Sequence, residues 1–196
     1  MTTTYTNITL LDVDQPEAAA WLAENSYTAA VSPTIDDITV VYDTVLADHA
    51  DDDEPLEHLL RLASEMSYEL GCMAWLVIVE ADAVLIYSFY SDGELTDSYG
   101  APPDEAPDGG DAEMLVDAFD LPKRAVKTVR TALKREMRSA TERHEKLLAA
   151  LEAPALALRC GYESIKAGEL PTGVDSADDL IFVDVDDDEA TEDDNA

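Results

Sequence analysis

Met73-Ala74-Trp75-Leu76-Val77-Ile78-Val79-Glu80-Ala81-Asp82-Ala83-Val84-Leu85-Ile86-Tyr87-Ser88-Phe89-Tyr90-Ser91-Asp92-Gly93-Glu94-Leu95-Thr96-Asp97-Ser98-Tyr99 consists of three strand-forming runs parted by two short breaks. β-Branched and aromatic side chains dominate 73–80, 83–90 and 94–99, and such residues suit a pleated, packed surface. Ala81-Asp82 and Ser91-Asp92-Gly93 supply turn chemistry between them. Connections this short join antiparallel neighbours, so a three-strand meander is expected over about 73–99.

Upstream of the meander, Leu56, Leu59, Leu60, Ala63, Met66 and Leu70 recur at three- and four-residue steps, with Gly71 placed to end a helix. Asp53 is a natural cap for that helix, and 46–53 before it reads as an acidic loop. Residues 27–32 and 38–43 flank Pro33-Thr34-Ile35-Asp36-Asp37 and read as a hairpin. A strand at 8–13 opens the chain. Asp14 and Glu17 are spaced as a capping box for a helix from Pro16 to Glu24, which Asn25 can stop.

Downstream, 100–112 lacks apolar periodicity and reads as a surface loop. A short helix is expected from Ala112 to Phe119. A long helical pattern then runs over 120–151, with Ser139 as its point of weakness. Residues 155–160 suit a buried strand, and Gly161–Leu170 a turn with a short helical piece. The apolar run 180–185 reads either as an edge strand of the domain's own sheet or as an extended motif added to a partner's sheet. Beyond it the acidic residues 186–196 are expected to be disordered. The expected class is α+β: an antiparallel or mixed sheet, helices packed on one face, a long C-terminal helical segment and an acidic tail. One domain is expected over 1–174, with 175–196 as the tail.

Asp82-Ala83-Val84-Leu85-Ile86-Tyr87, Tyr90-Ser91-Asp92-Gly93-Glu94-Leu95-Thr96-Asp97-Ser98-Tyr99 and Gly109-Gly110-Asp111-Ala112 together resemble an uncharacterised bacterial protein family. Arg143-His144, Gly161-Tyr162 and Gly168-Glu169-Leu170-Pro171 are similar to the same family. The resemblance spans roughly 5–173 and implies a single domain; it implies no activity and no site residues.

The 196 residues hold 44 Asp and Glu against 12 Lys and Arg, a formal charge of −32 and a sequence pI near 4.1. Such charge repels itself at low ionic strength. In about 1 M salt the screening length falls to ~3 Å and the penalty fades. Acids spread from Asp12 to Asp194 therefore read as salt adaptation rather than as a mimic of nucleic acid, and stability is expected to rise between low and molar KCl. Residues 1–11 have no basic segment or long apolar run, and no stretch reaches 18 apolar residues, so a cytoplasmic protein is expected. Cys72 and Cys160 sit in apolar runs, as buried thiols do, without the paired spacing of a disulfide or zinc framework.

One window departs from this charge balance. Lys123, Arg124, Lys127, Arg130, Lys134, Arg135, Arg138, Arg143 and Lys146 face only Glu136, Glu142 and Glu145 between 123 and 146. That window carries +6, which leaves −38 for the rest. At helical periodicity Lys123, Lys127, Arg130, Lys134 and Arg138 form one stripe, beside an apolar face of Val126, Val129, Leu133, Met137 and Ala140. Three readings stand: internal neutralisation against the acidic sheet, loop 46–54 or tail; contact with an acidic protein surface or a second copy; or an anionic ligand. The surrounding charge, the salt sensitivity of phosphate contacts and the lack of interleaved aromatics weigh against nucleic acid.

No other constellation carries chemistry. His49 and His58 flank Asp51-Asp52-Asp53-Glu54 but lack metal-site spacing, and a solvated acidic loop accounts for them better. His144 falls on an apolar helix face, as a core histidine does. The acidic run beginning at Asp184 has Glu189 and Asn195 where a calcium loop needs Gly and Glu. Gly109-Gly110-Asp111 lacks the Lys-Ser/Thr pair of a phosphate loop. No cofactor or metal is expected, and the leading functional expectation is a non-enzymatic interaction or regulatory module working through 123–146. An enzyme or sensor holding a small anion beside that helix, and a nucleic-acid-associated regulator, are the alternatives.

Overall fold

A computed structural model describes residues 3–45, 54–102 and 105–184. The acidic loop 46–53 with His49 and Asp53, and the tail from Val185 onward, lie outside the described residues. The elements are β1 (Tyr5–Leu11), α1 (Gln15–Glu24), β2 (Ala29–Val31), β3 (Ile38–Asp43), α2 (Glu54–Glu69), β4 (Met73–Glu80), β5 (Val84–Ser91), β6 (Glu94–Ala101) and β7 (Asp108–Gly109). They continue with α3 (Ala112–Ala118), α4 (Val126–Lys134), α5 (Ala140–Ala150), α6 (Tyr162–Lys166) and β8 (Ile181–Val183). The class is α+β, built on one eight-stranded sheet in the order β7-β6-β5-β4-β1-β3-β2-β8. Every pairing is antiparallel.

The meander is present as β4-β5-β6, with Trp75 opposite Phe89 and Tyr87 opposite Tyr99. The 33–37 hairpin joins β2 to β3. Asp14 caps α1 by accepting from the Glu17 amide, and Asn25 closes it. The apolar run after Leu180 adds β8 to the outer side of β2, pairing Ala30 with Phe182. Both outermost strands are very short, which limits the edge open to further pairing.

Four features differ from the sequence reading. Helices cover both faces of the sheet rather than one. On the first face α1 and α2 bring Trp21, Leu22, Leu59, Leu62 and Met66 onto Ile8, Leu10, Leu76 and Ile78. On the second, α3 to α6 bring Leu115, Val129, Leu133, Leu147 and Ile165 onto Tyr42, Trp75, Tyr87 and Phe89. The reason lies in the central strands: β1 is buried at all seven positions, so it needs cover on both sides.

Second, the long helical segment 120–151 is a 3-10 turn (Lys123–Ala125) followed by two helices, α4 and α5. Arg135 leaves α4 in an extended conformation, and Ser139 starts α5 by accepting from the Glu142 amide at 3.2 Å. Glu142 Oε2 accepts in turn from the Arg138 amide at 3.0 Å. The turn between β4 and β5 completes this cap, since the Asp82 carbonyl and Oδ1 accept from the Ala140 and Thr141 amides at 3.0 and 2.9 Å. With its first amides held by a distant turn, α5 begins afresh.

Third, 155–160 is not a strand but a 3-10 turn at Ala155–Ala157 followed by Arg159 at φ 58°. Its carbonyls are satisfied by side chains of the sheet instead of a ladder. Asn7 Nδ2 donates to the Ala157 and Cys160 carbonyls, and the Tyr42 hydroxyl to Leu156. Fourth, the loop 100–112 contains β7, where Gly109 pairs with Tyr99. Gly109 has φ 73°, and a Cβ there would collide with the Ser98 carbonyl oxygen.

Candidate functional site

The apolar stripe of the basic window docks as its periodicity requires: Val129, Leu133 and Ala140 are buried, and Val126 and Met137 half-buried. Burial of that stripe turns the opposite side outward. Lys123, Lys127, Arg130, Lys134 and Arg138 are all exposed, yet they do not lie on one rod. Lys123 belongs to the 3-10 turn, Lys127, Arg130 and Lys134 to α4, and Arg138 to the link before α5.

α4 and α5 pack side by side and leave a groove of about 590 Å³ between them. Buried Ala132, half-buried Met137 and Ala150, and exposed Ala149 make an apolar floor and wall. Lys127, Arg135 and Lys146 stand along the rim with Thr128 and Thr131, all of them exposed. None of its lining side chains is a carboxylate, in a chain where acids outnumber bases 44 to 12. A neighbouring depression shares Arg135, Met137 and Lys146 with the groove and adds Glu136, Arg138 and Glu142, so carboxylates begin beside two of the three rim cations.

Of the five residues on the sequence-derived stripe, only Lys127 enters the groove. Lys134 and Arg138 instead border a polar cleft with Asp82, Glu105 and Glu136. Arg130 Nη2 meets Glu113 Oε1 of α3 at 3.2 Å. Both side chains of that pair are more than half exposed, so it contributes only about 0–1 kcal/mol. Among the described residues this is the one ion pair made by the basic window.

Sequence reasoning left Arg135 and Lys146 off the stripe, which it drew at helical periodicity through Lys123, Lys127, Arg130, Lys134 and Arg138. Arg143 has a different role. It is buried, and its Nη1 donates to the Leu133 carbonyl at 2.8 Å and to the Ala132 carbonyl at 3.4 Å. The Tyr99 hydroxyl donates to the same Leu133 oxygen at 2.6 Å. Together they satisfy carbonyls that the end of α4 would otherwise leave bare, and they fix that wall of the groove.

The remaining chemistry-bearing residues have structural partners. His144 is fully buried, with Nδ1 2.8 Å from the Tyr5 hydroxyl, and burial pushes its pKa down to about 3. Burial raises the Cys72 and Cys160 thiols to about 12, which holds them protonated. His58 Nε2 lies 3.3 Å from Asp43 Oδ1. Among the described residues no cluster of His, Cys, Asp and Glu could hold a metal ion. At Gly109-Gly110-Asp111, Asp111 Oδ1 accepts from the Glu113 and Met114 amides, so a side-chain carboxylate already occupies the start of α3.

Comparison of the chain with family models, with curated proteins and with solved structures found no match in any of the three. No described helix is long and apolar enough to cross a membrane.

Proposed function

We propose that this protein is a non-catalytic binding module whose α4–α5 groove holds an acidic protein surface. The observation that carries the reading is the groove lining: three cations, two hydroxyls, an apolar floor and no carboxylate. A random patch of so acidic a surface would include acids. Chance would also give the exposed cations nearby carboxylate partners, whereas a single weak pair engages them among the described residues. An acidic partner supplies countercharge to the rim, and apolar floor contacts bring the affinity that exposed charges lack. The partner is another protein or a second copy of this chain, whose sequence outside the basic window carries a formal charge of −38.

Charge reversal tests this. Lys127→Glu, Arg135→Glu and Lys146→Glu together leave the buried stripe untouched, so the variant is expected to fold. The native chain, immobilised in its source extract at native salt, should retain a stoichiometric acidic polypeptide that the triple variant loses. The same set of proteins on both, or none on either, contradicts the reading.

The groove's volume also falls within the range of about 300–1,000 Å³ usual for small-ligand pockets. This favours a small anion as the second reading. A thermal-shift panel of nucleotides and phosphates in high KCl separates the two, since only a small-ligand site raises the melt there.

A further inference from the structure

The geometry points to a partner segment of a particular chemistry: an acidic amphipathic peptide that seats one or two large apolar side chains between α4 and α5. This rests on the binding-module reading and specifies what that module recognises. α4 is nine residues long, about 13 Å at 1.5 Å per residue, so the groove receives one or two anchors rather than a long helix. The floor of Ala132, Met137 and Ala150 is made of small or pliable side chains, which leaves depth for a Leu or Phe and lets Met137 adapt to it. Above that floor Lys127, Arg135 and Lys146 are placed to meet carboxylates flanking the anchor.

Charge complementarity selects the occupant, and screening decides what must hold it. A chain carrying −32 is best tolerated in concentrated salt, where the screening length shrinks to about 3 Å at 1 M. Attraction between exposed charges then acts only at contact. A segment bound by carboxylates alone would dissociate under those conditions, whereas burial of apolar surface is strengthened or unchanged by salts that are excluded from protein surfaces. The cations therefore select acidic segments and set their register, and the apolar anchor supplies the persistence.

Three synthetic peptides probe this. One is acidic with Leu and Phe at helical anchor spacing, one keeps the acids but has Ser at the anchors, and one keeps the anchors but has Gln for the acids. Fluorescence anisotropy against the full chain is read at about 0.1 M and about 1 M KCl, with Ala149→Trp as an exposed substitution that fills the groove and Ala149→Ser as its control. The anchored acidic peptide should bind at both salts and lose about tenfold or more on Ala149→Trp, with no loss on Ala149→Ser. The Ser-anchor peptide should bind at low salt only, and the Gln peptide weakly at both. Equal binding of the anchored and Ser-anchor peptides at high salt, or an unchanged affinity on Ala149→Trp, overturns the anchor. Full affinity for the anchored peptide in the Lys127→Glu, Arg135→Glu, Lys146→Glu variant overturns the binding-module reading itself.

Discussion

His144 takes an ionisable ring into the core, fully buried, stacked on Tyr5 and edge-on to Trp75. Its Nδ1 is bonded to Tyr5, while Nε2 has no hydrogen-bond partner among the described residues. No charged group compensates a proton there, so burial alone holds its pKa at about 3. Below about pH 6.5 the unfolded chain takes up a proton that the folded chain refuses. The residue's contribution is therefore whole above that pH and falls as pH drops toward 3, by up to about 1.4 kcal/mol per unit. The many carboxylates act in the opposite sense, because protonation relieves their mutual repulsion. A His144→Gln comparison isolates the ring. In urea melts the native chain's advantage over the variant should shrink between about pH 7.5 and 4.5, and a constant difference would refute the assignment. The sequence disclosed this residue because apolar periodicity brackets it. The same periodicity, through Ala140, Leu147, Leu148 and Leu151, placed Arg143 at a core position too. The sequence reading counted Arg143 only among the cations of the basic window.

Element boundaries were legible where the signal was local and lost where it was not. The β4-β5-β6 meander and the 33–37 hairpin carry their own turn chemistry, so composition sufficed. The break between α4 and α5 depends on Asp82, more than fifty residues away, and tertiary contacts of that kind override helix propensity. The sequence did mark Ser139 as the weak point of the segment, and Ser139-Ala140-Thr141-Glu142 carries the capping signature that starts α5 there. Cover on both faces was also readable, because Ala74 to Val79 is a continuous apolar run rather than an alternation. The turn at 155–160 was not, since the groups that satisfy it come from β1 and β3. If these caps set the start of α5, Ser139→Ala should cost about 1 kcal/mol in a urea melt, within the range of cap deletions. Asp82→Ala should cost more than Asp82→Asn, which keeps an oxygen acceptor, because Asp82 Oδ1 holds the Thr141 amide. Unchanged melts for both alanine variants would show that α5 starts there for another reason.

At the scale of the whole molecule, one window of a strongly acidic chain carries net positive charge. The charge contrast was visible in the sequence, because counting residues needs no geometry. The groove was not, because it exists only once α4 turns back and lays its length beside α5. A stripe on a single rod would have offered a flat cationic ridge. Two helices packed side by side instead enclose a concave groove with an apolar floor and no carboxylate in its own lining, which is the space the proposed partner would fill. The first face of the sheet, covered by α1 and α2, serves as an internal reference. The most direct test is an amide-resolved NMR titration of the full chain with the anchored acidic peptide in about 1 M KCl. Saturable shift changes concentrated at 127–137 and 146–150, with α1 and α2 silent, are the expected result. Changes centred on α1 and α2, or an unperturbed spectrum at saturating peptide, would contradict the assignment of the α4–α5 groove as the binding surface.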